Sequence, residues 1–182
     1  MAANLREAGR PASFIEWVDK AISVAATTLS IGALVTMFVA LCAEVVVRYV
    51  TKTSLGWPAE LPNFMFPWLV MSCIVLAAQH GAHIAVTLIL GKIGRGAQKL
   101  LLLGMQIVIA MTFFYLAWIG LSVIEITGSE VYPVTGVSAR WAYLALVVGF
   151  AGVGITALTT FARLLSAEDP LSVRAHHAEE EL

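Results

Sequence analysis

The sequence predicts an all-α integral membrane protein, with four transmembrane helices and interfacial amphipathic helices beside them. Three observations carry the prediction. Hydrophobic residues make up 59% of the chain and charged residues only 13%, at a mean hydropathy of +0.86, whereas a water-soluble domain is about a quarter charged. Four apolar runs, at residues 21–47, 59–78, 100–124 and 141–165, are each long enough to cross a hydrocarbon core of ~30 Å at ~1.5 Å per residue. The segments between them hold the turn formers and most of the charge. One membrane domain, 21–165, thus sits between an N-terminal segment, 1–20, and a polar tail, 166–182.

The N-terminal segment has no signal-peptide order. Its Ser13 and Glu16 have the spacing of a capping box, in which each side chain satisfies a backbone N–H near the other. Phe14, Ile15, Trp17 and Val18 make a short amphipathic lead-in, with Trp17 and Lys20 as an interfacial anchor. Span 1 carries no charge until Glu44, which lies four residues before Arg48 and is expected to pair with it on one helix face. Span 2 opens on Trp57-Pro58, with Glu60 in its first turn. Proline suits that position because its missing N–H would be unpaired there, and a carboxylate faces the positive end of the helix dipole. Pro62 and Pro67 predict a kink near Asn63. Trp68 is either a lipid-facing ring or a partner contact. After Gln79-His80-Gly81, the stretch His83–Leu90 is too short to cross again and is expected along the interface.

Gly91, Gly94 and Gly96 with Lys92, Arg95 and Lys99 form a basic linker that lacks the order of a phosphate-binding loop. Span 3 has one strongly polar interior residue, Gln106, expected to turn towards other helices. Residues 125–140 read as a loop, with Gly128-Ser129, Pro133 and Gly136 as turn signals. Span 4 begins with Trp141 and Tyr143 at membrane-interface level. It continues with a small-residue stripe, Ala145, Gly149, Gly152 and Thr156, which lets a neighbouring backbone approach closely. Cys42 and Cys73 lie in apolar runs and read as small buried hydrophobes. His176-His177 belong to a solvated tail ending in Glu179-Glu180-Glu181.

Charge placement bears on both orientation and function. Arg6, Arg10, Lys20, Lys92, Arg95, Lys99, Arg163 and Arg174 fall on one side of the membrane, and Arg48, Lys52 and Arg140 on the other. By the positive-inside rule both termini are cytoplasmic. No Asp, Glu, Lys, Arg or His lies in the middle third of any span. Ion and proton pathways need such groups or broken helices at the midplane, so this chain is a poor candidate to transport solute alone. A stand-alone exporter has only Glu44 to offer, too near a span end. A four-helix haem b electron carrier needs histidines at matched depths inside spans, and His80, His83, His176 and His177 lie outside them. A net charge of −1 gives no indication of nucleic-acid binding.

One ordered set of residues resembles a known family. Glu44-Val45, Arg48-Tyr49-Val50, Trp57, Glu60-Leu61, Trp68, Gly81, His83-Ile84 and Val86 are followed by Pro133, Gly136, Trp141, Tyr143 and Gly149. Together they resemble the small permease subunit of tripartite ATP-independent periplasmic (TRAP) transporters, the DctQ-like family, over most of the chain. The chain departs from that pattern at Ala59, where the family has a second acidic residue, and at Pro62-Asn63, where it often has a basic one. The resemblance implies a bacterial inner-membrane subunit that scaffolds a large permease subunit (DctM-like). That partner binds sodium and moves an organic acid such as a dicarboxylate or sugar acid, delivered by a periplasmic solute-binding protein (DctP-like). It implies no cofactor in this chain, and lipid as the remaining partner. Candidate subunit-interface or anchoring residues are Glu44, Arg48, Trp57, Glu60, Trp68, His83, Arg140, Trp141 and Tyr143.

Overall fold

The computed structural model describes residues 11–80 and 94–166. The His83–Leu90 stretch, Gly91-Lys92 and the tail lie outside the described residues. Among the described residues four helices follow in order: α1 Pro11–Thr51, α2 Trp57–Gln79, α3 Arg95–Thr127 and α4 Arg140–Ser166. All four are long and apolar enough to cross a membrane, and the protein is an all-α multi-pass membrane protein.

The predicted N-terminal lead-in is not a separate interfacial helix. It forms the first turns of α1, because no glycine or proline interrupts the chain between Pro11 and Gly32. The helix is described from Pro11, so the Ser13 backbone lies within it and not at its start. At 41 residues, α1 is about 61 Å long, roughly twice the hydrocarbon thickness. It ends where Lys52 takes a left-handed φ of 55°. The α2 helix runs unbroken through Pro62 and Pro67. Its start is set by Gly56, at φ 77°, where an added Cβ would meet Val134 only in ordinary contact, at 3.4 Å. In that backbone region only glycine is free of steric penalty.

The helices pack as two antiparallel pairs. Along its length α1 lies on α2, and α3 lies on α4. The pairs join where α2 packs on α4, while α1 touches α4 only lightly. Small residues make these contacts close. On α1, Ala26, Ala33, Met37 and Ala40 recur at helical spacing and are buried. On α4, the stripe found in the sequence faces α2: a side chain at Gly149 would collide with Met71, and one at Gly152 would lie 3.1 Å from Val75. Met71 opposes Gly149 and Val75 opposes Gly152, so α2 and α4 run parallel. Ala26, Val75 and Val153 form the point where α1, α2 and α4 meet, flanked by Ile109 and Phe113 of α3. Phe113 and Phe150 add a tilted ring contact at 5.9 Å. Gln106 is buried, as expected of a polar residue within a span.

The surface left outside is apolar. Phe38 on α1 is 68% exposed and Trp118 on α3 73%, with Ile31, Leu34, Val45, Val108, Met111 and Tyr115 also outward. A patch of this size is not sustained in water; lipid or another membrane protein covers it. Cys42 and Cys73 are on this outer surface and not in the core. Helical phase explains the difference: Cys42 lies two residues from buried Ala40, and Cys73 two from buried Met71 and Val75, which puts both on the opposite, outward faces.

Candidate functional site

The charged groups gather at the two ends of the bundle. One end, the loop end, carries the connections 52–56 and 128–139. The other is where α2 finishes and α3 starts. Between them the stretches Ala21–Ala43, Leu61–Gln79, Leu100–Ile124 and Trp141–Ala162 contain no Asp, Glu, Lys or Arg.

At the loop end two carboxylates hold the connections. Glu60 is only 8% exposed. Its Oε1 accepts the Val134 N–H at 2.9 Å, and its Oε2 accepts the N–H and the hydroxyl of Thr135, both at 2.8 Å. The connection it grips is folded on itself by an isolated antiparallel bridge, Val131 to Ser138. Tyr132 N–H donates to Val137 O and Ala139 N–H to Glu130 O, each at 2.9 Å. Gly136 takes a φ of 67° at its tip. Ser138 joins the helix ends, donating its hydroxyl to Gly128 O at 2.6 Å and accepting the Arg140 N–H at 3.3 Å. Phe64 supports the same connection through a 6.3 Å ring contact with Tyr132. Burial, with Tyr143, Glu130 and Glu60 nearby, holds the Tyr132 phenol above its usual pKa range.

Glu44 does for the shorter connection what Glu60 does for the longer one. It accepts the Ser54 hydroxyl at 2.5 Å and the Leu55 N–H at 3.1 Å. The expected ion pair with Arg48 is not formed, because the chain folds back ten residues later and supplies neutral donors to the same carboxylate. Arg48 is exposed. Trp68 is neither a plain lipid-facing ring nor free for a partner's hydrogen bond. Its indole N–H donates to Trp141 O at 2.9 Å, which joins α2 to the first turn of α4. Trp57 is 43% exposed and Trp141 59%. Arg140 is exposed with its stem against Gly128, and Tyr143 is half-buried. His83 lies outside the described residues.

The opposite end holds a node that the sequence reading missed. Asp19 Oδ2 lies 2.6 Å from Arg163 Nη2, with the two side chains 15% and 23% exposed respectively. Asp19 Oδ1 accepts the Thr159 hydroxyl at 2.7 Å, and the Asp19 carbonyl accepts Gln79 Nε2 at 3.0 Å. Three helices therefore meet at one residue. The signal was present: span 1 starts and span 4 ends on the same side, which puts Asp19 and Arg163 at one depth. Lys99 Nζ similarly donates to Leu165 O at 3.2 Å, between α3 and α4. Among the described residues no group of three or more His, Cys, Asp or Glu is placed to hold a metal ion.

Taken together, the described carboxylates at Asp19, Glu44 and Glu60 serve as hydrogen-bond acceptors inside the fold, and the apolar flanks face outward. These features define a multi-pass membrane component. The family model for the DctQ component of tripartite ATP-independent periplasmic transporters matches residues 37–167, and the chain belongs to that family. It is also 33% identical, over 84% of its length, to an uncharacterized protein of Sinorhizobium fredii, of which it spans only 28%. Two Haemophilus influenzae proteins, provisionally named TRAP transporter small permease proteins, are 27% and 24% identical. They match over 73% and 85% of this chain and 78% and 91% of their own lengths.

Proposed function

We propose that this chain scaffolds the large permease subunit of a tripartite transporter in sodium-coupled uptake of an organic acid, such as a dicarboxylate or sugar acid. The observation that carries the reading is the charge-free depth of all four helices, set beside extensive outward apolar surface on α1 and α3. A pathway for an anion and its coupling ions needs ionisable groups or broken helices at the midplane; here the charged groups sit at the two ends. The chain takes no cofactor and catalyses no reaction, and the sodium sites belong to the large subunit. A periplasmic solute-binding protein delivers the substrate. The protein sits in the bacterial inner membrane with both termini cytoplasmic, which places the loop end outside.

Within this reading the nine candidate residues divide. Arg48, Trp57, Arg140 and Trp141 are exposed and remain candidates for contact with a partner or with headgroups. Glu44, Glu60 and Trp68 act as anchors through their hydrogen bonds, and Tyr143 is half-buried near Tyr132. His83 is proposed from the sequence pattern alone. The test is reconstitution. Vesicles holding this chain with the large subunit and the binding protein are expected to accumulate an organic anion under a sodium gradient, and vesicles holding this chain alone are not. Accumulation by the chain alone would overturn the proposal.

A further inference from the structure

The first helix is attached to the rest of the molecule unevenly. It packs along α2 but touches α4 only lightly. At the loop end Glu44 ties α1 to the short connection that follows it, and not to α4. At the opposite end Asp19 is gripped by Thr159 and Arg163, four residues apart on one face of α4. Its carbonyl is held by Gln79 at the end of α2. Thr159 is itself buried. The grip is therefore sheltered, and less screened than a surface ion pair. Above it, Ala26 meets Val153 through small side chains, which give close contact but little resistance to rotation.

A long rod hinged at one end and fastened at the other has its tilt set by the fastener. We propose that the Asp19 node is a latch that fixes the angle of α1 against α4. When it opens, the Asp19 end of α1 rolls over α2 away from α4, turning about the 52–56 connection, while α1 keeps its packing on α2 and α2, α3 and α4 stay together. Asp19 is a positioning residue in this scheme, and the scheme holds whichever partner the protein serves.

Spin-label distances in the full chain test it, with Cys42 and Cys73 replaced by serine. One label pair, at Val24→Cys and Leu158→Cys, reports on the latch half of α1 and α4; a second, at Val45→Cys and Val148→Cys, reports on the loop half. All four positions are exposed. Asp19→Asn is expected to lengthen and broaden the first distance and leave the second unchanged. The reversed pair, Asp19→Arg with Arg163→Asp, is expected to narrow the first distance again. A first distance unmoved by Asp19→Asn overturns the latch, as does equal broadening of both pairs or no recovery in the reversed pair. Should Asp19→Asn fail to fold, Thr159→Ala keeps the ion pair and removes one donor. It is expected to broaden the first distance partially, and no change there overturns the proposal.

Discussion

The two ends of the bundle use acidic residues in opposite ways. At the loop end, Glu44 and Glu60 accept hydrogen bonds from backbone N–H groups and hydroxyls of the connections. No cation is involved, and what is fixed is the course of the chain between helices. At the other end Asp19 accepts from side chains of two other helices, one of them cationic. What is fixed there is the placement of whole helices. A carboxylate near a turn finds unpaired N–H donors in abundance, because turns leave them. A carboxylate between helices finds none, since the helices satisfy their own backbone, and it needs a side chain.

Substitutions break or sharpen this contrast in a graded series. Gly149→Leu removes it altogether, since the new side chain drives into Met71 and forces α2 off α4. A destabilisation of about 3 kcal/mol or more is expected, measured as thermal unfolding in detergent, with both ends loosened equally. Asp19→Ala strips one partner from a part-buried pair, at about 1–3 kcal/mol, and hydrogen exchange should quicken around Gln79 and Thr159 but not in residues 130–139. Glu60→Gln gives the converse pattern. Its amide keeps one acceptor oxygen and turns an NH2 towards the other site, so at least one of the Val134 and Thr135 amides should exchange about tenfold faster, with the Asp19 end unaffected. Trp68→Phe deletes one hydrogen bond to Trp141 O and should lower stability by about 0.5–1.5 kcal/mol. Equal spread of the Asp19→Ala and Glu60→Gln effects to both ends would erase the distinction.

The four spans were legible because an apolar stretch of membrane length has few other uses. The stripe on α4 was legible for a related reason: small residues at three- and four-residue steps leave a groove, and a parallel neighbour, α2, fills it. The loop-end acids were found but their partners were misjudged. Helical spacing offers Arg48 to Glu44, yet a folded-back connection offered better-placed donors ten and eleven residues on. Glu60 finds its donors 74 and 75 residues away, and Asp19 meets Thr159 across 140. Local spacing says nothing about such pairs; only the order in which spans cross the membrane does. The continuity of α1 was missed because amphipathic patterning marks where a helix leaves the hydrocarbon, not where it stops.

The pairing of α1 with α2 and of α3 with α4 makes each half of the chain a self-contained hairpin, joined to the other through the α2–α4 seam. Covalent continuity between residues 80 and 94 is then not what keeps the halves together. Two separately synthesised fragments, cut in that interval, should each insert as a two-span unit and find one another laterally in the bilayer. Reassembly of a divided gene product would follow from the seam together with the Asp19 contacts to Thr159 and Arg163.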